Sequence, residues 1–263
     1  LTLAAHAVYA GCVITLFQPP PVWGMPSMSP FCIKVETYLR MVDLPYKVRG
    51  GDPRRNPKGK IPWIDDDGKL VPDSSDIIDH LKATHGDPLD RELSALQRAE
   101  ALQARRTIEE HLYWVLVYSR WIEPEGYSHV RGAFVKLMPK FIGPLLLDRV
   151  IRKQVAGYLR GQGIGRHAPA DIYRRGCEDL SALSVVLGDK SYLLGEQPTS
   201  VDASLYGFCV TLWLFPADNP IKRHMATLGN LVAYTERMHS RYFGADRPVG
   251  SGGRGGSGSG MAA

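Results

Sequence analysis

A chain of 263 residues that is 44% hydrophobic can bury one large core or two smaller ones. A net charge of +5 from 32 basic and 27 acidic residues is too mild to call for nucleic acid or a membrane surface as partner. Cys12, Cys32, Cys177 and Cys209 lie far apart without CxxC or Cys/His ligand spacing, and the histidines form no metal-binding pattern, so no metal is expected and a reducing, cytoplasmic setting is.

In chain order, LTLAAHAVYAGC (1–12) has an apolar stretch before a cysteine but no basic start, and reads as an N-terminal extension and not as a cleaved signal. VITLF is a buried-strand run. SPFCIKVETYLRMV is an amphipathic helix with Phe31, Val35, Tyr38, Leu39 and Val42 on one side and Lys34, Glu36 and Arg40 elsewhere. An extended YKVR, the segment PRRNPKGKIPWI, a DDDG turn, KLVPD and the helix SSDIIDHLKATH follow. The order βαβ then ββα over 13–86 is that of a thioredoxin-like fold.

Strand signals vanish over 91–243, which reads as all-helical. A long helix runs through ELSALQRAEALQARRTIEEHLYWVLVYSRW, and later helices are separated by breakers such as Pro139, Gly143-Pro144 and Pro169. The remaining 244–263, rich in Gly and Ser, cannot pack a core and is expected to be disordered. The fold class is therefore α/β followed by all-α.

Three places in this plan point to chemistry and a fourth to stability. Pro62 precedes an apolar strand, where its missing N–H suits an entry point and its cheap cis isomer permits a sharp turn that would leave the Ile61 backbone facing outward. Ser29 stands before Pro30 at a helix start, as a plain N-cap or as a hydroxyl beside a site that stabilises anions. Asp73 and Ser74 open the next helix, where Ser74 or Ser75 would cap it and Asp73 would sit in the turn; a carboxylate beside N–H groups also matches the zwitterion of an α-amino acid. Thr199 and Asp202 form a capping-box variant, assigned to stability.

Together these segments resemble the glutathione transferases. NPKGKIPWI is similar to their cis-proline loop, Asp73-Ser74 to their acidic-Ser pair, and YLLGEQPTSVDASLYG to the signature of their helical half. SPFCIKVETYLRMVDLPYKV with GQGIGRHAPADIYRRGCEDLSALSVVLGDKSYLLG is similar to the branch of failed-axon-connections and metaxin-like proteins and their bacterial relatives. The resemblance covers roughly residues 13 to 243, with four motifs in order. It implies glutathione as co-substrate, anchored by Lys60, Ile61, Pro62, Asp73 and Ser74. Ser29 would then steady a thiolate that attacks a small, apolar electrophile, and a homodimer is the implied assembly.

Alternatives stand beside each assignment. The loop FQPPPVWGMPSMSP is longer than the family's, so Ser27 could replace Ser29 or the loop could cover the site. Cys32, in SPFC, sits at the resolving position of a glutaredoxin-like motif, and a reductase using it is one rival; burial and an inert thiol are the bland reading. Lys58 and Lys60 flank the proline loop as ligand contacts or as solvated charges. Tyr113, Trp114, Tyr118 and Trp121 share faces of the long helix as core or as a pocket wall. The basic stretch 131–175 is a solvated helical edge or a face for an acidic surface. A non-catalytic adaptor, as some relatives implied by the resemblance are, is the other rival.

Overall fold

The computed structural model describes residues 13–56, 58–138 and 143–244. The extension 1–12, the tail after 244 and the breaker Pro139 lie outside the described residues. The N-terminal part runs β1 (Ile14–Gln18), α1 (Pro30–Met41), β2 (Tyr46–Gly50), β3 (Trp63–Asp66), β4 (Lys69–Pro72) and α2 (Ser74–His85). Its strands lie in the order β2-β1-β3-β4. β1 is parallel to β2, with Leu16 opposite Val48, and antiparallel to β3, with Leu16 opposite Ile64. The parallel pair requires a crossover, which α1 supplies. The β3–β4 hairpin turns on Asp67 and Gly68, both at positive φ (54° and 85°), the geometry of a two-residue loop. Leu16 and Ile64 of the sheet share one core cluster with Tyr38 and Leu39 of α1 and Ile77 and Leu81 of α2. This is the thioredoxin-like order that the strand and helix patterns predict.

The rest is helical. α3 (Ala95–Arg106) continues through a π-helical turn, Thr107–Leu112, into α4 (Tyr113–Trp121). α5 (Pro124–Val135), α6 (Gly143–Leu146), α7 (Arg152–Gln162), α8 (Pro169–Leu187), α9 (Ser200–Trp213), α10 (Pro220–Thr227) and α11 (Gly229–Phe243) follow. Gly143 and Pro169 open helices and do not interrupt them, as proline at a first helical position allows. Every residue of α9 from Val201 to Leu212 is buried, so this helix is the axis around which the others pack. Its start carries the expected capping box: Thr199 N–H donates to Asp202 Oδ2 at 2.8 Å. Asp202 Oδ1 also accepts from Leu193 N–H (2.9 Å) and the Tyr234 hydroxyl (3.1 Å). Burial pushes the Asp202 carboxyl up, and these bonds oppose that push.

One sequence expectation needs correction. The polar residues of α1 do not face water: Lys34, Glu36 and Arg40 are at most 5% exposed. α1 is sandwiched between the sheet and α9, where Gly207 permits the approach; a Cβ there would lie 2.8 Å from the Pro30 carbonyl oxygen. Buried charges must then find partners. Glu36 accepts from Gln18 Nε2 (2.5 Å), the Tyr46 hydroxyl (2.9 Å) and Arg40 Nη2 (3.0 Å). Arg40 Nη1 donates to the Tyr242 carbonyl of α11 at 2.7 Å. Phe31, expected on the same side as Val35 and Leu39, instead packs edge-on against Tyr113 and Phe208 with centroids 4.9 and 5.3 Å apart.

Several charges of the basic stretch hold helices together. Arg131 Nε donates to Asp148 at 3.0 Å. Arg152 donates to the carbonyls of Trp121 and Ile122, both at 2.9 Å, with its guanidinium over the Tyr127 ring. No helix among the described residues is long and apolar enough to cross a membrane.

Candidate active site

The loop before β3 is tied by one side chain. Asn56, 8% exposed, donates to the carbonyls of Pro53 (3.1 Å) and Lys60 (2.8 Å), while its Oδ1 accepts from Lys58 N–H (3.2 Å). An asparagine side chain mimics a backbone turn in this way. The Ile61–Pro62 bond is cis. Pro62 thus leads directly into Trp63, whose ring stacks on Phe17 of β1 at 3.6 Å, and Ile61 is left half-buried at the cleft.

The start of α1 lies across that cleft. Ser29 is the N-cap, its Oγ accepting from Cys32 N–H at a long 3.4 Å, and Pro30 follows it. The hydroxyl also bonds to the Cys32 thiol, and since a hydroxyl proton rotates to suit its partner it can turn to a ligand. Ser29 lines the cleft. Ser27 does not; it is fully buried, its Oγ accepting from Ser29 N–H at 3.4 Å. Cys32 is fully buried as well, and desolvation pushes its thiol up to about 12 despite hydrogen bonds from Ser29 and Ser27.

A second group gathers at the start of α2. Asp73 is the N-cap, accepting from Ser75 N–H at 3.1 Å, with a backbone at φ 78°, ψ 129°. The sequence reading placed the cap on Ser74 or Ser75; the carboxylate takes it instead. Lys60 Nζ lies 3.4 Å from Asp73, and Lys58 pairs with Asp76. Ser74 is 4% exposed and is held from behind by Lys34 of α1. The ammonium of Lys34 donates to Ser74 Oγ (3.2 Å), Ser75 Oγ (3.1 Å) and Glu109 Oε1 (2.7 Å), which uses all its N–H groups. Desolvation lowers the Lys34 pKa, opposed by the Glu109 carboxylate.

Between the sheet domain and the helices lies a cavity of about 710 Å³. Tyr113, Leu116 and Trp121 of α4 and Phe134 of α5 form its apolar wall. The long loop after β1 supplies Pro19, Pro20, Trp23 and Met28 to the lining, so it forms part of the cavity wall. Trp23 and Gly24 take positive φ values (52° and 76°) in a turn closed by paired Val22–Met25 hydrogen bonds, and the Trp23 ring rests edge-on against Phe215 at 5.0 Å. Of the aromatic run on α4, Tyr113 and Trp121 face the cavity whereas Tyr118 packs on Tyr173. Arg120 also lines it, among carbonyls and an aromatic ring.

Ser29 and Ile61 therefore share one cavity. Asp73, Ser74 and Lys60 form a neighbouring group coupled to α1 through Lys34. Sequence reasoning missed Lys34, Glu109 and Arg120. The available signal was Gly207, a glycine inside an otherwise apolar helix, which marks a close backbone approach and hence a second buried face on α1. No cluster of residues suited to a metal ion occurs among the described residues.

Comparison with known proteins gives matching assignments. Residues 30–126 match the family described as glutathione S-transferase N-terminal domain, and residues 176–238 the glutathione S-transferase C-terminal domain. The chain is 36% identical to an isoprene-epoxide–glutathione S-transferase of Rhodococcus sp., covering 88% of this chain and 99% of that protein. It is 31% identical to Failed axon connections of Drosophila melanogaster, covering 88% of this chain and 58% of that one. A glutathione S-transferase of Ceriporiopsis subvermispora, solved in complex with glutathione, superposes with a TM-score of 0.64 over 89% of this chain and 100% of its own, at 17% identity.

Proposed function

The chain belongs to the glutathione transferase family, and on that premise we propose that it binds glutathione and transfers it to a small, apolar electrophile. The observation that carries this reading is the roomy apolar cavity that meets Ser29 at the start of α1 and Ile61 beside the cis proline. A cleft between two domains, apolar with a few polar groups, is where a small ligand is expected. The Rhodococcus relative is named for an epoxide, a small electrophile of that kind.

In this mechanism the Ile61 backbone pairs with the main chain of the tripeptide. Asp73 takes the glutamyl ammonium, and Ser74 with the N–H groups opening α2 takes its carboxylate, Lys60 flanking them. Glutathione supplies the thiol. The α1 N-terminus lowers that thiol's pKa, and the Ser29 hydroxyl donates to the thiolate so formed. The thiolate attacks the electrophile in the cavity without a covalent enzyme intermediate.

Titration calorimetry with glutathione tests the first half. Wild type should bind, and Asp73→Ala should bind at least tenfold more weakly. Near-zero heats from both would favour a non-catalytic adaptor. Conjugation of an aryl halide tests the second half: Ser29→Ala should lose most of the turnover, and an unchanged rate would remove Ser29 from the mechanism. A reductase working through Cys32 is disfavoured by a thiol that is fully buried and pushed up to about 12 by desolvation.

A further inference from the structure

Arg120 is 7% exposed, yet among the described residues it has no carboxylate partner. Its Nη1 donates to the Met28 carbonyl at 2.8 Å, its Nη2 to the Thr211 carbonyl of α9, and its guanidinium lies 4.6 Å from the centre of the Phe215 ring. Nε is buried without any acceptor. Met28 precedes Ser29, so this cation stands one residue from the proposed thiolate position. The other charged residue of the cavity wall, Asp52, is engaged by Arg54 at 2.9 Å.

A buried, unneutralised guanidinium is costly, and a protein that only needed to tie Met28 to α9 would be served by a neutral donor. Burial lowers the Arg120 pKa to about 10, so the group stays charged at neutral pH. Two carbonyls and a ring fix it before any ligand arrives. That is the arrangement which stabilises charge as it develops, since no reorganisation is needed at the moment of reaction. The surrounding wall is apolar, which suits a co-substrate that enters neutral.

We propose that Arg120 is a catalytic residue of the co-substrate site, donating to an oxygen that becomes anionic as the thiolate attacks, and that it selects electrophiles of the epoxide type. This rests on the transferase reading above. In the step, sulfur forms a bond to a ring carbon, the C–O bond of that carbon breaks with its pair moving to oxygen, and water protonates the alkoxide. The proton lost when the thiol ionised balances the one gained. With Nε walled off and two N–H groups held by carbonyls, Arg120 acts through a remaining N–H and its fixed charge on a single oxygen.

The test compares wild type with Arg120→Met and Arg120→Lys, using styrene oxide and iodomethane as electrophiles. Iodide leaves as a large, diffuse anion that gains little from a hydrogen bond. Arg120→Met should lose about 100-fold in turnover of styrene oxide, about fivefold or less with iodomethane, and leave glutathione affinity unchanged. Arg120→Lys should retain more of the epoxide rate than Arg120→Met. Equal losses on both electrophiles would overturn the assignment. Wild type without glutathione gives an arm independent of variant folding and of the transferase reading: 4-nitrophenolate should bind the cavity at least tenfold more tightly than 4-nitrotoluene, and equal affinities would also overturn it. Failure of the transferase reading would appear separately, as the absence of glutathione binding.

Discussion

Lys34 Nζ lies 2.7 Å from Glu109 Oε1, and with side chains 1% and 6% exposed the two join α1 to the π-helical turn of the long helix. The same Glu109 oxygen accepts from the Ser204 hydroxyl of α9 at 2.7 Å. Removing one partner leaves the other charge buried and alone, which costs about 3–5 kcal/mol, whereas replacing both by apolar groups is often neutral. Glu109→Ala should therefore lower stability by about that amount in chemical denaturation, and Lys34→Met/Glu109→Leu should recover most of it. Equal losses in the single and double variants would show that packing, and not charge, holds this junction.

Asp73 has φ 78° without being glycine. Such backbone strain costs on the order of 1–3 kcal/mol and persists where function requires it. Glycine would release it, at a cost of a few tenths of a kcal/mol for the cap and about 0.5–1 for added chain freedom. Asp73→Gly should leave the denaturation midpoint unchanged or raise it by up to about 2 kcal/mol in stability. Glutathione affinity should fall about 10- to 100-fold with the loss of a charged hydrogen bond. A destabilised variant with intact binding would place the carboxylate in the fold and not in the site.

The fold was legible because its cues are local: the short apolar strands, the Asp67-Gly68 turn, and Thr199 spaced three from Asp202 each act within a few residues. The cleft-facing position of Ser29 and the placement of Ile61 followed from a helix start and a proline. Lys34, Glu36 and Arg40 were misread because helical periodicity reports one buried face, and α1 has two. Their partners lie far along the chain, Glu109 and Tyr242 among them, and no spacing rule connects such positions. Arg120 was hidden for a similar reason: its acceptors are main-chain carbonyls of Met28 and Thr211, which any residue type offers.

Asp90, between α2 and α3, accepts from Ser200 N–H at the start of α9 at 2.8 Å and from Lys82 of α2. Desolvation pushes its carboxyl up, but the Lys82 and Ser200 hydrogen bonds outweigh it and leave the pKa below the ordinary 3.8. A depressed folded pKa means that the unfolded chain binds the proton more readily. The stabilisation is thus complete above about pH 4 and is lost as pH falls through the folded value. Denaturation midpoints measured from pH 6 down to pH 2 should fall for wild type. For Asp90→Asn they should start lower and decline less steeply; parallel curves would exclude Asp90 as a source of the acid sensitivity.

Gly207 sets the distance between α9 and the first turn of α1. A Cβ there would stand 2.8 Å from the Pro30 carbonyl oxygen and 3.1 Å from Lys34 N, both backbone atoms that cannot rotate away. Helix propensity alone would favour alanine by about 1 kcal/mol, while overpacking costs about 1–3 kcal/mol, so the sign of the effect reports how tight the contact is. Gly207→Ala should be destabilising on balance. Because the clash falls one residue from Ser29, relief by shifting α1 would also misplace the hydroxyl, and displacements near 1 Å at a reacting group can cost about 100-fold in rate. Turnover should accordingly drop by much more than glutathione affinity, whose proposed anchors sit on the proline loop and α2. A variant that is more stable than wild type and fully active would mean that α1 and α9 have room to spare.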